Sequence, residues 1–133
     1  MVNNMVLILI LLVCVSGVYA YDPEITQLAK LISKHSPDKQ TTVLFIDNFV
    51  NEIIEYKFYY HAKGIDRTWG EKEGDCTDIS MLKQFMLYKA NIKSRLVHGY
   101  DIDGNKHDWY EYKISNKWQS IELNNRKVGL GTW

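Results

Sequence analysis

Residues 74–122 read GDCTDISMLKQFMLYKANIKSRLVHGYDIDGNKHDWYEYKISNKWQSIE, and their patterning decides the fold. After Cys76, the apolar residues Ile79, Leu82, Phe85 and Met86 recur at helical spacing, and Asp75 stands where a carboxylate caps the first-turn N–H groups. Cys76 is thereby set at a helix N-terminus. Beyond Asn91 the runs shorten and become rich in β-branched and aromatic residues: SRLVHGY, HDWYEYKI and KWQSIEL, separated by the turn signals DIDGNK and SNK. Three strands in a meander follow from this. The expectation is an α+β domain, helices first and antiparallel sheet second, with the Cys76 helix packed on a small sheet.

Upstream, EITQLAKLISK puts Ile25, Leu28, Leu31 and Ile32 at helical spacing just after Pro23, which suits a first turn. In SPDKQ, Ser36 is expected to cap a second helix with Pro37 at its first position. That helix carries Val43, Ile46, Val50, Ile53 and Ile54 on one stripe and runs from Thr41 to about Tyr56. HAKGIDRTWGEKEGD, with Gly64, Gly70 and Gly74, reads as a loop leading to Cys76. The final NNRKVGLGTW either packs through Val128, Leu130 and Trp133 or frays. No internal repeat and no low-complexity run interrupts the chain.

At 133 residues, 46% of them apolar and 13% aromatic, the chain is sized for one domain with a modest core. Met5 to Ala20 contains no charged residue and ends in Val18-Tyr19-Ala20, a small-residue cleavage pattern. Residues 1–20 are therefore expected to be a signal peptide, with an uncleaved N-terminal anchor as the alternative, and residues 21–133 a single domain that is secreted or displayed at the cell surface. Contact with a membrane is expected only if that segment stays attached. Sixteen basic residues balance sixteen acidic ones, all of them after Ala20. No basic face is on offer, which argues against nucleic acid and against an anionic membrane as partner.

Cys14 falls within the apolar leader, so Cys76 has no intrachain partner in the mature domain. An exported thiol of this kind is buried and inert, paired between chains, or chemically employed. A helix N-terminus favours thiolate through its unpaired N–H groups, while Asp75 and Asp78 oppose it, so an imidazolium partner would decide the balance. His35 and His61 lie in or beside polar linkers, and His98 sits within a strand. His107 opens HDWYEY directly after a turn, where a side chain projects from the sheet toward the Cys76 helix. Glu122, at the end of WQSIEL, is placed to stand beside His107 on a neighbouring strand, the third group of a Cys-His-carboxylate set. Asp101, Asp103 and Asn105 alternate as calcium ligands do, but Lys106 and Tyr112 occupy the positions that need Gly and Glu, so a plain hairpin turn is expected. No Cys/His cluster suggests zinc, and no metal or cofactor is expected.

These blocks together resemble the core of the transglutaminase-like superfamily of papain-like cysteine enzymes. The resemblance is carried by Gly74-Asp75-Cys76-Thr77-Asp78, Ile92 to Arg95, Gly99-Tyr100, His107-Asp108-Trp109-Tyr110-Glu111, and Trp118 with Glu122. It implies Cys76 as the nucleophile attacking an amide carbonyl, His107 as general base and then acid, and Glu122 as the residue that orients His107. The family's third residue is usually Asp, one methylene shorter. The main-chain N–H of Cys76 is the natural oxyanion donor, and the Trp69 indole is a candidate second donor, with core packing as its alternative. The expected activity is hydrolysis of peptide or isopeptide amide bonds in a peptide, protein or cell-envelope peptide substrate. The alternatives are glutamine transamidation, or a catalytically silent module that binds such material.

Overall fold

The computed structural model describes residues 22–122 and 126–127. The expected signal segment with Cys14, and the tail residues Val128, Leu130 and Trp133, lie outside the described residues. Helix α1 spans Asp22–His35 and α2 Lys39–Ile53; β1 is Glu55–Tyr56, α3 Ile65–Glu71 and β2 Glu73–Gly74. Helix α4 spans Cys76–Lys89, and β3 Ser94–Asp101, β4 Lys106–Ile114, β5 Lys117–Gln119 and β6 Arg126–Lys127 complete the order. The four-stranded sheet runs β5-β4-β3-β6, antiparallel throughout, so the expected meander is present and a further strand returns beside β3. A separate parallel pair, β1 with β2, had not been expected.

Helix α4 lies at the centre, in contact with α1, α2 and α3 and with strands β3 and β4 of the sheet. Leu82, Met86 and Leu87 are fully buried against Ile25 and Ala29 of α1 and Val43, Ile46 and Val50 of α2, while Tyr110 and Tyr112 close the core from β4. Each such aliphatic side chain contributes about 2 kcal/mol by leaving water. Because α4 is covered on several sides, Ser80 and Lys83 are buried as well, which a one-faced apolar stripe would not predict. Lys83 Nζ donates to Asp47 Oδ1 and Asn51 Oδ1, both at 2.7 Å, and the Tyr110 hydroxyl donates to the same Asp47 oxygen at 2.7 Å. Burial and that carboxylate hold the Tyr110 phenol far above its ordinary pKa, so it remains a donor.

Several local expectations are corrected. The cap of α2 is Asp38, whose carboxylate accepts from the Thr41 N–H at 2.7 Å; Ser36 instead donates its hydroxyl to the Ile32 carbonyl. Helix α2 stops at Ile53, and the chain turns extended at Ile54 into β1. The stretch 61–75 is not all loop, since it contains α3 and β2. Its Gly64 has φ +85 and serves as the N-cap of α3, a backbone that side chains resist. In the hairpin after β3, the Asp101 carboxylate accepts from the N–H groups of Asp103 and Asn105, so the turn uses that acid itself. Among the described residues no cluster of His, Cys, Asp and Glu is arranged to hold a metal, and no helix is long and apolar enough to cross a membrane.

Candidate active site

The start of α4 is fixed by reciprocal capping. Asp75 Oδ1 accepts from the Asp78 N–H at 3.0 Å, and the Asp75 N–H is returned to Asp78 Oδ2 at 3.4 Å. The other Asp78 oxygen accepts from the N–H groups of Lys63 and Gly64 at 2.7 and 3.1 Å, stitching the preceding loop to the helix. Gly74 precedes this turn because a Cβ there would stand 2.8 Å from the Asp78 Cβ and 3.0 Å from the Thr68 methyl. Glycine and two aspartates around the cysteine are thus each accounted for by packing and capping. Of the two acids expected to oppose thiolate, Asp75 raises the Cys76 pKa, and the Asp78 carboxylate is engaged by backbone N–H groups.

Cys76 is a free, partly exposed thiol. Burial pushes its pKa up, but the hydrogen bond from His107, a second from the main-chain N–H of Asp108 and the imidazolium charge outweigh it, and the net pKa lies below that of an ordinary thiol. The Nε2 of His107 lies 3.5 Å from Glu122 Oε2, at the long limit of a hydrogen bond. A pocket of about 380 Å³ brings Cys76, His107 and Glu122 together with Tyr56 and Asp108 in its wall, and Lys83 in its lining. All three residues expected from the sequence therefore converge.

Trp69 does not join them. It is 3% exposed, with its ring centroid 6.3 Å from that of Phe49 and Lys72 Nζ 3.5 Å above its ring, and it forms no part of the described pocket wall. Core packing, the alternative reading of Trp69, describes its position. His35 and His61 are exposed as expected. Arg95 pairs with Glu111 across β3 and β4 at 2.6 Å and lies over Trp118.

Sequence reasoning missed Asp108. Its carboxylate, 9% exposed, accepts from the Thr77 hydroxyl at 2.6 Å and meets His98 Nδ1 at 2.6 Å, while its carbonyl accepts from Ser80 at 3.4 Å. It clamps the first turn of α4 to β4 immediately beside His107, and so fixes how far sulfur and imidazole stand apart. The only signal for it was an acid at a strand position that should face the core. His98, read as a strand histidine, serves this clamp from the half-exposed side of β3.

A thiol at a helix N-terminus facing an imidazole on an antiparallel sheet defines a class of α+β domains built around a Cys–His pair. Residues 26–123 match the transglutaminase-like superfamily, and the chain belongs to that family. No curated protein matches the chain at a significant level. Solved structures share its fold, among them a candidate cysteine protease from Cytophaga hutchinsonii, with TM-score 0.65 and 19% identity over 89% of this chain and 41% of that one. The periplasmic domain of TgpA from Pseudomonas aeruginosa matches at TM-score 0.65 and 22% identity, over 80% of this chain and 43% of that one. A TGase matches at TM-score 0.67 and 13% identity, over 95% and 40%. The chain thus spans about two fifths of the length of these three structures.

The thiol's environment sets a pH dependence. An acid whose folded pKa lies below its free value is ionised across the interval between the two, so alkylation of Cys76 by iodoacetamide should rise through a midpoint below the free-thiol value of about 8.5. His107→Ala removes the hydrogen bond and the positive charge of the ring and leaves burial and Asp75 opposed by the Asp108 N–H. The midpoint then moves up, and labelling at mildly acidic pH slows by about tenfold or more. A midpoint that stays put in the variant would show that His107 does not govern the thiol. The same linkage favours the folded state above the free-thiol pKa, a contribution lost as pH falls through the folded one.

Proposed function

We propose that the chain is an exported cysteine hydrolase that cleaves peptide or isopeptide amide bonds, with Cys76 as nucleophile, His107 as base and acid, and Glu122 orienting the imidazole. The observation that carries this reading is that Cys76, at the start of α4, His107 and Glu122 line one pocket, with His107 and the Asp108 N–H favouring the thiolate in spite of burial. The Cys76 thiolate attacks the amide carbonyl carbon, and the main-chain N–H of Cys76 at the start of α4 donates to the oxygen that becomes negative. The His107 imidazolium gives its proton to the leaving amine as the C–N bond breaks, which leaves a thioester on Cys76 and a neutral ring. Water, losing a proton to His107, then cleaves the thioester to a carboxylic acid and restores the thiolate.

Partial exposure of Cys76 and His107, and of Glu122 at 45%, favours water over an amine as the second nucleophile, because amine transfer needs water excluded. That one structure sharing the fold is a periplasmic domain supports a place outside the cytoplasm. The long 3.5 Å contact to an exposed Glu122 favours the second reading, a silent binding module, should the imidazole prove too loosely held.

Incubating the protein with denatured casein in H₂¹⁸O, with and without a primary amine, separates the readings by mass spectrometry. Hydrolysis gives cleaved peptides carrying ¹⁸O at the new carboxylate. Amine adducts on intact chains would replace the hydrolase with a transamidase, and unaltered casein beside an alkylatable Cys76 would favour the binding module.

A further inference from the structure

Residues 55–60, EYKFYY, leave the pocket as strand β1 and continue without regular structure to a bend at Tyr60. The N–H groups of Glu55 and Lys57 donate to the Lys72 and Gly74 carbonyls at 2.8 and 2.9 Å, holding β1 against β2. By the alternation of a strand, the N–H and C=O of Tyr56 face the other edge, and the sheet carries no strand there among the described residues. Side chains alternate too. Lys57 reaches Glu73 at 3.0 Å and Tyr59 lies under Lys63, so these two turn back onto the body. Tyr56, Phe58 and Tyr60 are 61%, 68% and 93% exposed, with the last two rings in edge contact at 5.8 Å.

Three exposed aromatics in a row are uncommon on a small domain unless something covers them. This row has a definite origin, since Tyr56 also forms the wall of the pocket that holds Cys76 and His107. The neighbouring lysines are already engaged by acids, Lys57 by Glu73 and Lys63 by Glu71, so the row offers apolar surface and not charge.

We propose that this row is the docking surface for the peptide substrate itself. The substrate lies extended along the outer edge of β1, hydrogen-bonded to the Tyr56 main chain, with apolar or aromatic side chains at alternate positions set against Tyr56, Phe58 and Tyr60. The substrate class is thus an unfolded or extended polypeptide with apolar residues to one side of the scissile amide. This inference rests on the hydrolase reading, but it is tested by binding and needs no turnover.

The full chain carrying Cys76→Ala, with ¹³C-labelled Tyr and Phe rings, is titrated with two blocked hexapeptides, acetyl-Leu-Ala-Phe-Ala-Gln-Gly-amide and its Leu→Ser, Phe→Ser counterpart. The first should shift the Tyr56, Phe58 and Tyr60 signals and leave Tyr88, exposed on α4, unmoved. Phe58→Ser with Tyr60→Ser should weaken that binding by roughly tenfold. The single Tyr60→Ser, at a site nearly free of contacts, gives a smaller shift in the same direction if the double variant folds poorly. Equal shifts with both peptides, or no shift with either, overturn the proposal. So do ring shifts caused by chitohexaose and not by peptide, which mark a sugar platform. Line broadening that grows with protein concentration without any peptide, and vanishes in the double variant, overturns it in favour of self-association. A peptide that binds here while casein stays uncut would sink the hydrolase and keep the surface.

Discussion

Cys76→Ala should lower amide cleavage by roughly four orders of magnitude or more while leaving the fold intact. The size of the loss follows from the covalent route, since without sulfur no thioester forms and only the oxyanion donor and substrate binding remain. The fold survives because the side chain is small and partly exposed, and the capping at the start of α4 runs through Asp75 and Asp78 and not through the thiol. Residual cleavage near the wild-type rate, in protein whose thermal unfolding is unchanged, would remove Cys76 from the mechanism. The same variant losing its cooperative unfolding would instead show that the thiol is structural.

The largest expected effect on stability lies deeper, at Lys83. Its ammonium is 5% exposed and meets a 10% exposed Asp47, so Lys83→Met leaves that carboxylate without its counter-charge, held only by the Tyr110 hydroxyl and the Asn51 amide. Removing one member of a buried pair costs about 3 kcal/mol or more. Adding Asp47→Leu removes the unbalanced charge and should restore part of the loss, although the Tyr110 hydroxyl and the Asn51 amide then lose their acceptor. Urea unfolding of the single and double variants measures both. A single variant that loses less than about 1 kcal/mol would mean that water reaches the pair. Lys83 also lines the pocket, so the pair sets the polarity of its floor as well as the packing of α2 on α4.

What the sequence made legible were features written within a few residues of one another. The cap and first turn of α4 are carried by Gly74 to Asp78, the hairpin between β3 and β4 by DIDGNK, and the convergence of Cys76, His107 and Glu122 by the order of the blocks in residues 74–122. Helix α3 escaped because seven residues with Ile65 and Trp69 as their apolar members are too short for a period, and Gly64 and Gly70 speak for a loop. Strands β1 and β2 escaped because two residues pairing in parallel owe their form to the α4 start against which they sit, not to propensity. The Asp47–Lys83 pair and the Asp108 clamp join residues 36 and 31 apart, a separation at which local pattern is silent. Asp38 in place of Ser36 is a smaller miss, two adjacent capping residues divided by a proline.

The supports of the Cys76 sulfur come from distant parts of the chain: the α4 start, the Asp108 N–H and the His107 ring. A chain still being made, or threaded unfolded through a membrane, has none of them in place. Its cysteine is then an ordinary thiol, mostly protonated at neutral pH and slow to meet oxidants or stray electrophiles. The fold therefore acts as a safety catch: the thiol becomes reactive, and vulnerable itself, only once those supports are assembled.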